Sequence, residues 1–130
     1  TEFFRAQLEI YFIEHKTEEG MHELKEALDF QEFYLARSDA DHMKIMDGRF
    51  HEAIYNHCGS AILRDTLSPL HKKVQKYRRL SIEQSGRAAK SVEEHRAIYN
   101  AIEAGDADLA ERLMAEHVNN AMHTIVDKEI

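Results

Sequence analysis

Apolar residues recur at the spacing of an α-helix along almost the whole chain. No segment alternates apolar and polar residues for long enough to predict a β-strand. The chain has 130 residues, which suits one domain, and its five Gly and one Pro leave few positions for loops. The pattern predicts an all-α fold, an antiparallel six-helix bundle formed by a single domain over residues 1–130.

Capping residues predict where these helices begin and end. The first helix is expected from about Glu2 to His15, the fifth to end at Ala104 and the sixth to end near Val126. Pro69 lies inside the fourth helix and predicts a kink or a break there. The predicted N-caps are Thr17 for the second helix, one of Ser38, Asp39 and Asp41 for the third, and Ser60, Ser91 and Asp106 for the last three. Gly59 is the stop signal after the third helix. Ser91 with Glu94 has the spacing of a capping box, so the fifth helix is expected to start there.

The composition excludes several classes of protein. Lys and Arg total 17 against 24 Asp and Glu, a net charge of −7, which argues against direct contact of this segment with nucleic acid or an anionic membrane. The single cysteine, Cys58, excludes an internal disulfide and predicts a reducing, cytoplasmic location. No apolar run approaches the ~20 residues of a membrane span, and no signal-peptide pattern opens the chain. Because the first residue is not Met, we expect a piece of a longer protein.

Four residues are expected to converge at one depth of the bundle. Asp47 and His51 are four apart and share a helix face. His95 lies eleven residues before the predicted turn at Asp106, and His117 lies eleven residues after it, so the two should sit level in an antiparallel pair. At ~1.5 Å per residue that depth is ~16 Å from the end of the bundle. One carboxylate and three imidazoles form a plausible divalent-metal set.

Other interpretations of these residues stay open. Each histidine could be a hydrogen-bonded core residue, and Asp47 with His51 could be an ordinary helical ion pair. His71 mirrors Asp47 about Gly59 and is a rival ligand, ranked lower because it opens a polar run. Cys58 is expected to be a buried apolar residue at a helix end. The remaining histidines are predicted to lie on the surface, namely His15, His22, His42, His57 and His123.

A set of short motifs spread over essentially the whole chain resembles the FCD domain, the C-terminal effector-binding domain of FadR-type GntR transcription regulators. The motifs are Arg5-Ala6-Gln7-Leu8-Glu9, Asp47, Phe50, His51, Asn56, Glu94-His95, Ile98, Ala101-Ile102, Gly105-Asp106, Ala110, Met114 and His117. Each is weak alone, and their order and spacing together make the resemblance specific.

The resemblance implies an all-α antiparallel bundle with a metal site inside it. Matched position by position, the ligands are Asp47, His51, His95 and His117, holding zinc, nickel or a similar divalent ion. It further implies a small carboxylate effector beside the metal and a homodimer whose geometry the effector shifts. DNA would be contacted only through an N-terminal winged helix-turn-helix domain, which we do not find in this chain.

Arg5 is one candidate for binding the effector carboxylate. It lies beside the apolar stripe of Leu8 and Phe12, where a buried guanidinium would need an anionic partner. A structural salt bridge with Glu9 is the equal alternative.

Arg78 and Asn120 are the other candidate effector contacts. Arg78 is four residues beyond Val74 and continues an inner stripe, although a solvated arginine is the ordinary alternative. Asn120 follows His117 by three residues on the same face and could donate to a ligand oxygen. Tyr55 and Tyr99 are candidates for the pocket wall or the core.

Three functions are compared. The first is a metal-dependent small-molecule sensor of a transcription regulator, without catalytic residues. The second is a metal-dependent hydrolytic enzyme. Against it, no pair of residues has the arrangement of a general acid and a general base. A di-iron bundle would also need two Glu-x-x-His pairs, and only Glu19 with His22 has that spacing. The third is a metal-free dimerisation module.

Overall fold

Five long helices and the end of a further one make up the part of the chain that the computed structural model describes. That part is residues 12–84 and 86–129, with side chains through residue 123, and no strand occurs within it. Residues 12–14 are helical and are labelled α1. The others are α2 (Glu18–Ala36), α3 (Ala40–Asn56), α4 (Ala61–Ile82), α5 (Arg87–Glu103) and α6 (Ala107–Glu129). The predicted all-α antiparallel bundle is confirmed. The predicted first helix lies mostly outside the described residues, and Arg5 lies there too.

Most of the predicted helix starts carry the expected caps. The side chains of Thr17, Asp39, Ser60 and Asp106 each accept a hydrogen bond from a backbone N–H three residues ahead, at 3.0–3.2 Å. These bonds satisfy donors that a helix leaves unpaired in its first turn. Gly59, just past α3, has a φ of +81°, a conformation that favours glycine.

The predicted start of the fifth helix at Ser91 is wrong. Helix α5 begins one turn earlier, at Arg87, after Gly86 in a left-handed conformation with a φ of 75°. Ser91 is therefore a buried helical residue. Its expected capping partner, Glu94, instead bonds Arg87 and His117, so long-range partners outweighed the local capping pattern.

Helix α4 and the end of α6 bear on two further predictions. Helix α4 continues from Ala61 to Ile82 with Pro69 inside it, so the break, one of the two outcomes expected at Pro69, does not occur. Helix α6 extends to Glu129, a few residues beyond the predicted end near Val126.

The packing of the helices brings α3, α5 and α6 around a common interior. Helix α2 packs on α3 and α5, α5 forms a hairpin with α6, and α4 contacts α3, α5 and α6. The large side chains that are fully buried in the core include Phe12, Leu24, Leu28, Phe50, Ile54, Leu67, Ile98 and Ile102. Cys58 is 1 % exposed, as expected. None of the described helices is long and apolar enough to cross a membrane.

Candidate metal centre

The four residues selected from the sequence lie together in the middle of this core. Asp47 and His51 come from α3, His95 from α5 and His117 from α6. Each offers one ligand atom, and these atoms all lie within 4.8 Å of one another. All four side chains are buried, with at most 4 % of each residue exposed. A cluster of polar groups this deep needs partners that compensate for the lost water.

The atoms facing one another are nitrogens and one oxygen. His95 Nε2 lies 2.9 Å from His117 Nε2 and 3.5 Å from Asp47 Oδ1. His51 Nε2 is 3.8 Å from the same oxygen, too far for a hydrogen bond, and has no hydrogen-bond partner. The centre of the cluster therefore holds one imidazole nitrogen without a hydrogen-bond partner, beside two that lie within hydrogen-bonding distance of each other.

Three of the four residues are also hydrogen-bonded on the side that faces away from the cluster. His95 Nδ1 is 2.6 Å from Gln31 Oε1, and His117 Nδ1 is 2.7 Å from Glu94 Oε1. Arg78 Nε donates to Asp47 Oδ2 at 3.2 Å, which leaves Oδ1 directed at the imidazoles. Outer contacts of this kind orient the ligands of protein metal sites.

Burial keeps the imidazoles of His51 and His95 neutral. It lowers the pKa of His51 and of His95 well below the ordinary 6.5, and the positive charge of Arg78 lowers both further. Neutral imidazole is the form that binds metal ions. For Glu94, burial acts to raise the pKa, but hydrogen bonds from His117 and Arg87 outweigh it and lower the pKa to about 2. The cluster thus combines three imidazole nitrogens and one carboxylate oxygen, a donor set suited to a divalent first-row metal.

Comparison with known proteins identifies the family. The family model of the FCD domain matches residues 4–120. The chain belongs to the FCD domain family. The match also covers the motifs that suggested this resemblance, from the opening Arg5 region to His117.

One curated relative is similar to part of this FCD domain. It is the uncharacterized HTH-type transcriptional regulator BphR of Paraburkholderia xenovorans (strain LB400), 32% identical over 76 residues. The aligned segment covers 58% of this chain and 31% of that regulator, so the similarity spans less than a third of the regulator's length.

A cavity of about 30 Å³ adjoins the four-residue cluster of this FCD domain. Its polar wall is formed by His51, His71 and Arg78, and its apolar wall comes mainly from α3, α4 and α6. The Arg78 guanidinium donates to His71 Nδ1 at 2.9 Å. His71 Nε2 is buried without a hydrogen-bond partner. Polar groups thus line one side of a small, otherwise apolar space next to the candidate ligands.

The other predicted site residues differ in their burial and in their contacts with the cluster. Arg78 is 5 % exposed and faces the cluster, so the solvated alternative is wrong. Asn120 is exposed, and its amide donates to Glu94 Oε2 at 3.0 Å. Tyr55 lines the cavity, whereas Tyr99 donates to Glu103. His71 is buried, contrary to the polar run it opens, and lies outside the four-residue set.

The predicted surface histidines are mostly confirmed. His15, His22, His42 and His123 are exposed. His57 is only half-buried, and its Nε2 lies 2.8 Å from Glu23.

Gln31 and the outer role of Glu94 were not predicted. A signal for Gln31 was available, because it continues the buried stripe of Leu24 and Leu28 at helical spacing. A polar residue on an apolar stripe indicates a buried hydrogen-bonding partner. Glu94 has the spacing of a capping-box partner of Ser91. This local pattern predicted a capping role for Glu94 and gave no indication of its long-range contacts.

We expect the metal-free protein to lose stability as the pH falls below about 6.5. The unfolded chain binds protons on His51 and His95 near the ordinary pKa of 6.5, and the native state does not, because burial lowers both pKa values. Protonation therefore favours the unfolded state, and the free energy of unfolding falls by up to about 1.4 kcal/mol per pH unit for each ring.

Urea unfolding of the chelator-treated protein at about pH 7.5 and 5.5 measures this change in the free energy of unfolding. His22→Gln, at an exposed site, is the control and should leave the pH slope unchanged. A free energy of unfolding that is equal at the two pH values would contradict the prediction.

Proposed function

We propose that this FCD domain is the metal-dependent small-molecule sensor of a transcription regulator. The observation that carries the proposal is the buried cluster of Asp47, His51, His95 and His117, whose ligand atoms lie within 4.8 Å of one another. Family membership over residues 4–120 supports a regulatory rather than a catalytic role. Similarity to an HTH-type transcriptional regulator supports the same role.

A divalent cation fits the residues present. His51 Nε2 is buried without a hydrogen-bond partner, and the Nε2 atoms of His95 and His117 face each other at 2.9 Å. A cation satisfies all of these acceptors at once, which no single hydrogen bond does. Three imidazoles with one carboxylate favour zinc or nickel over magnesium or calcium, which prefer oxygen ligands. When bound, the ion supplies a Lewis acid that can accept an anionic oxygen from a small molecule.

The adjoining cavity supports a short organic anion as the effector. Arg78, His51 and His71 are the polar residues of its wall, and His71 Nε2 has no hydrogen-bond partner. Arg78 carries the positive charge that a carboxylate requires. A volume of about 30 Å³ holds about two water molecules, so the effector is a small carboxylate with a short apolar part. Arg5 and Asn120 remain predicted contacts of that effector.

Sensing requires that the effector bind one arrangement of the protein better than another. We propose that the domain forms a homodimer in the cytoplasm and that effector binding changes the geometry of the dimer. DNA is then contacted by a separate helix-turn-helix domain of the full-length regulator, in keeping with the name of the similar protein. The net charge of −7 agrees with a domain that does not itself bind DNA.

The effector proposal is tested by thermal unfolding of the zinc- or nickel-loaded domain with a panel of short carboxylates. We expect at least one acid to raise the melting temperature in a saturable way, because ligands that bind only the native state stabilise it. The matching amide should have no effect, and neither should the acid on chelator-treated protein. Equal shifts with and without metal would contradict metal-dependent sensing.

A further inference from the structure

We propose that Gln31 and Glu94 are positioning residues of the metal centre, which keep the inward nitrogens of His95 and His117 free of protons. The inference rests on the proposed function, since it concerns the same four ligands. It adds two residues, from α2 and α5, that do not touch the metal position themselves.

Gln31 determines which nitrogen of His95 carries the proton. Its side-chain amide donates to the backbone carbonyl of Met46 at 3.2 Å, which fixes the orientation of the amide. The carbonyl oxygen Oε1 therefore faces His95 Nδ1, at 2.6 Å. A carbonyl oxygen only accepts hydrogen bonds, so Nδ1 must be the donor and Nε2 keeps its lone pair. Gln31 is 2 % exposed, so water does not compete for this contact.

Glu94 does the same for His117. Its carboxylate accepts from His117 Nδ1 at 2.7 Å, so the inward Nε2 of that ring also keeps its lone pair. The carboxylate is held in place by two nitrogens of Arg87, at 2.6 and 3.0 Å, and by the Asn120 amide at 3.0 Å. Two residues therefore hold one carboxylate through three hydrogen bonds, and the carboxylate in turn orients one imidazole.

As a result, the lone pairs of His95 Nε2 and His117 Nε2 are directed at each other. With both protons on the outer nitrogens, the 2.9 Å contact between His95 Nε2 and His117 Nε2 contains no proton. Without the outer acceptors, one ring could adopt the other tautomer and hydrogen-bond its neighbour, which would remove one metal ligand. Stacking of His95 on Phe50, with ring centroids 4.3 Å apart, fixes the ring plane but not the tautomer. The tautomer depends on Gln31 and Glu94.

The first test compares zinc affinity by competition with a chromophoric chelator. Gln31→Met removes the acceptor at similar volume, and we expect its zinc dissociation constant to rise about 10- to 100-fold, as is typical for outer partners of metal-bound histidine. Glu94→Leu should behave alike. Glu94→Gln retains an oxygen that can accept, so its loss should be smaller. The control is Glu93→Gln, an exposed neighbour that should match the wild type.

The second test does not depend on metal. Imidazole ¹⁵N chemical shifts of the metal-free wild type at about pH 8, where histidine is neutral, should show the Nδ1–H tautomer at His95 and His117. An Nε2–H tautomer at either ring would overturn the inference. Folding of each variant is checked by urea unfolding without metal, so that a loss of affinity is assigned to the site only in folded variants.

The two proposals fail in different ways. A wild type that binds neither zinc nor nickel overturns the proposed metal dependence and this inference with it. A wild type that binds metal, beside folded Gln31→Met and Glu94→Leu variants of equal affinity, overturns this inference alone.

Discussion

After incubation with zinc or nickel, the purified protein is expected to retain about one divalent ion per chain. His95→Ala and His117→Ala are expected to lose it. Each imidazole comes from a different helix, and the buried cluster supplies only four ligand atoms. Loss of one imidazole leaves three ligands around a larger space. We expect the affinity of each variant to fall by at least about 100-fold, beyond the effect of losing an outer partner.

Elemental analysis of dialysed protein measures this directly, with affinity titrations for any variant that retains metal. His22→Ala is a matched control, because His22 is an exposed histidine of the same chain. Metal content that is unchanged in both cluster variants would place the ion elsewhere. A wild-type protein that binds no metal would exclude the two metal-dependent functions and leave the metal-free dimerisation module.

Arg78→Met is expected to lower the free energy of unfolding of the metal-free protein by about 3–5 kcal/mol, the range for breaking a buried ion pair by removing one partner. Asp47 is 2 % exposed, and Arg78 donates to it at 3.2 Å. Without the guanidinium, the carboxylate stays buried beside neutral imidazoles, and His71 Nδ1 loses its donor as well.

Zinc should restore part of this loss, because a cation at the cluster gives Asp47 a new positive partner. Urea unfolding with and without zinc measures both effects. Arg79→Met is the matched control, since Arg79 is the exposed neighbour on the same helix and should shift the free energy only slightly. Similar losses in the two variants would show that the Asp47–Arg78 pair contributes no more than a surface charge.

The resemblance to the FCD family was available from the sequence because its motifs are spread over the whole chain. The matched model confirmed it over residues 4–120. The approach of His95 to His117 was also predictable, because two helices joined by a short turn place equidistant residues at the same level. Their Nε2 atoms lie 2.9 Å apart.

The features that local sequence patterns did not decide involve residues with distant partners. Glu94 has the spacing of a local capping residue, but it binds His117, 23 positions further along the chain. Arg78 lies on a helix rich in charge, yet it is buried because Asp47, 31 positions away, needs its guanidinium. Gln31 contacts His95 across 64 positions, and its place on an apolar stripe indicates burial but not this partner.

By itself, the sequence determined the helical class, most of the helix starts and the four candidate ligands. Those features depend on residue type and on spacings of three, four or eleven positions, which a helix and a short turn convert directly into geometry. The tertiary structure alone decided which polar residues are buried with the ligands, which ring nitrogens face inward and where the cavity lies. These depend on which helix faces pack together, and packing brings distant residues into contact regardless of their spacing along the chain.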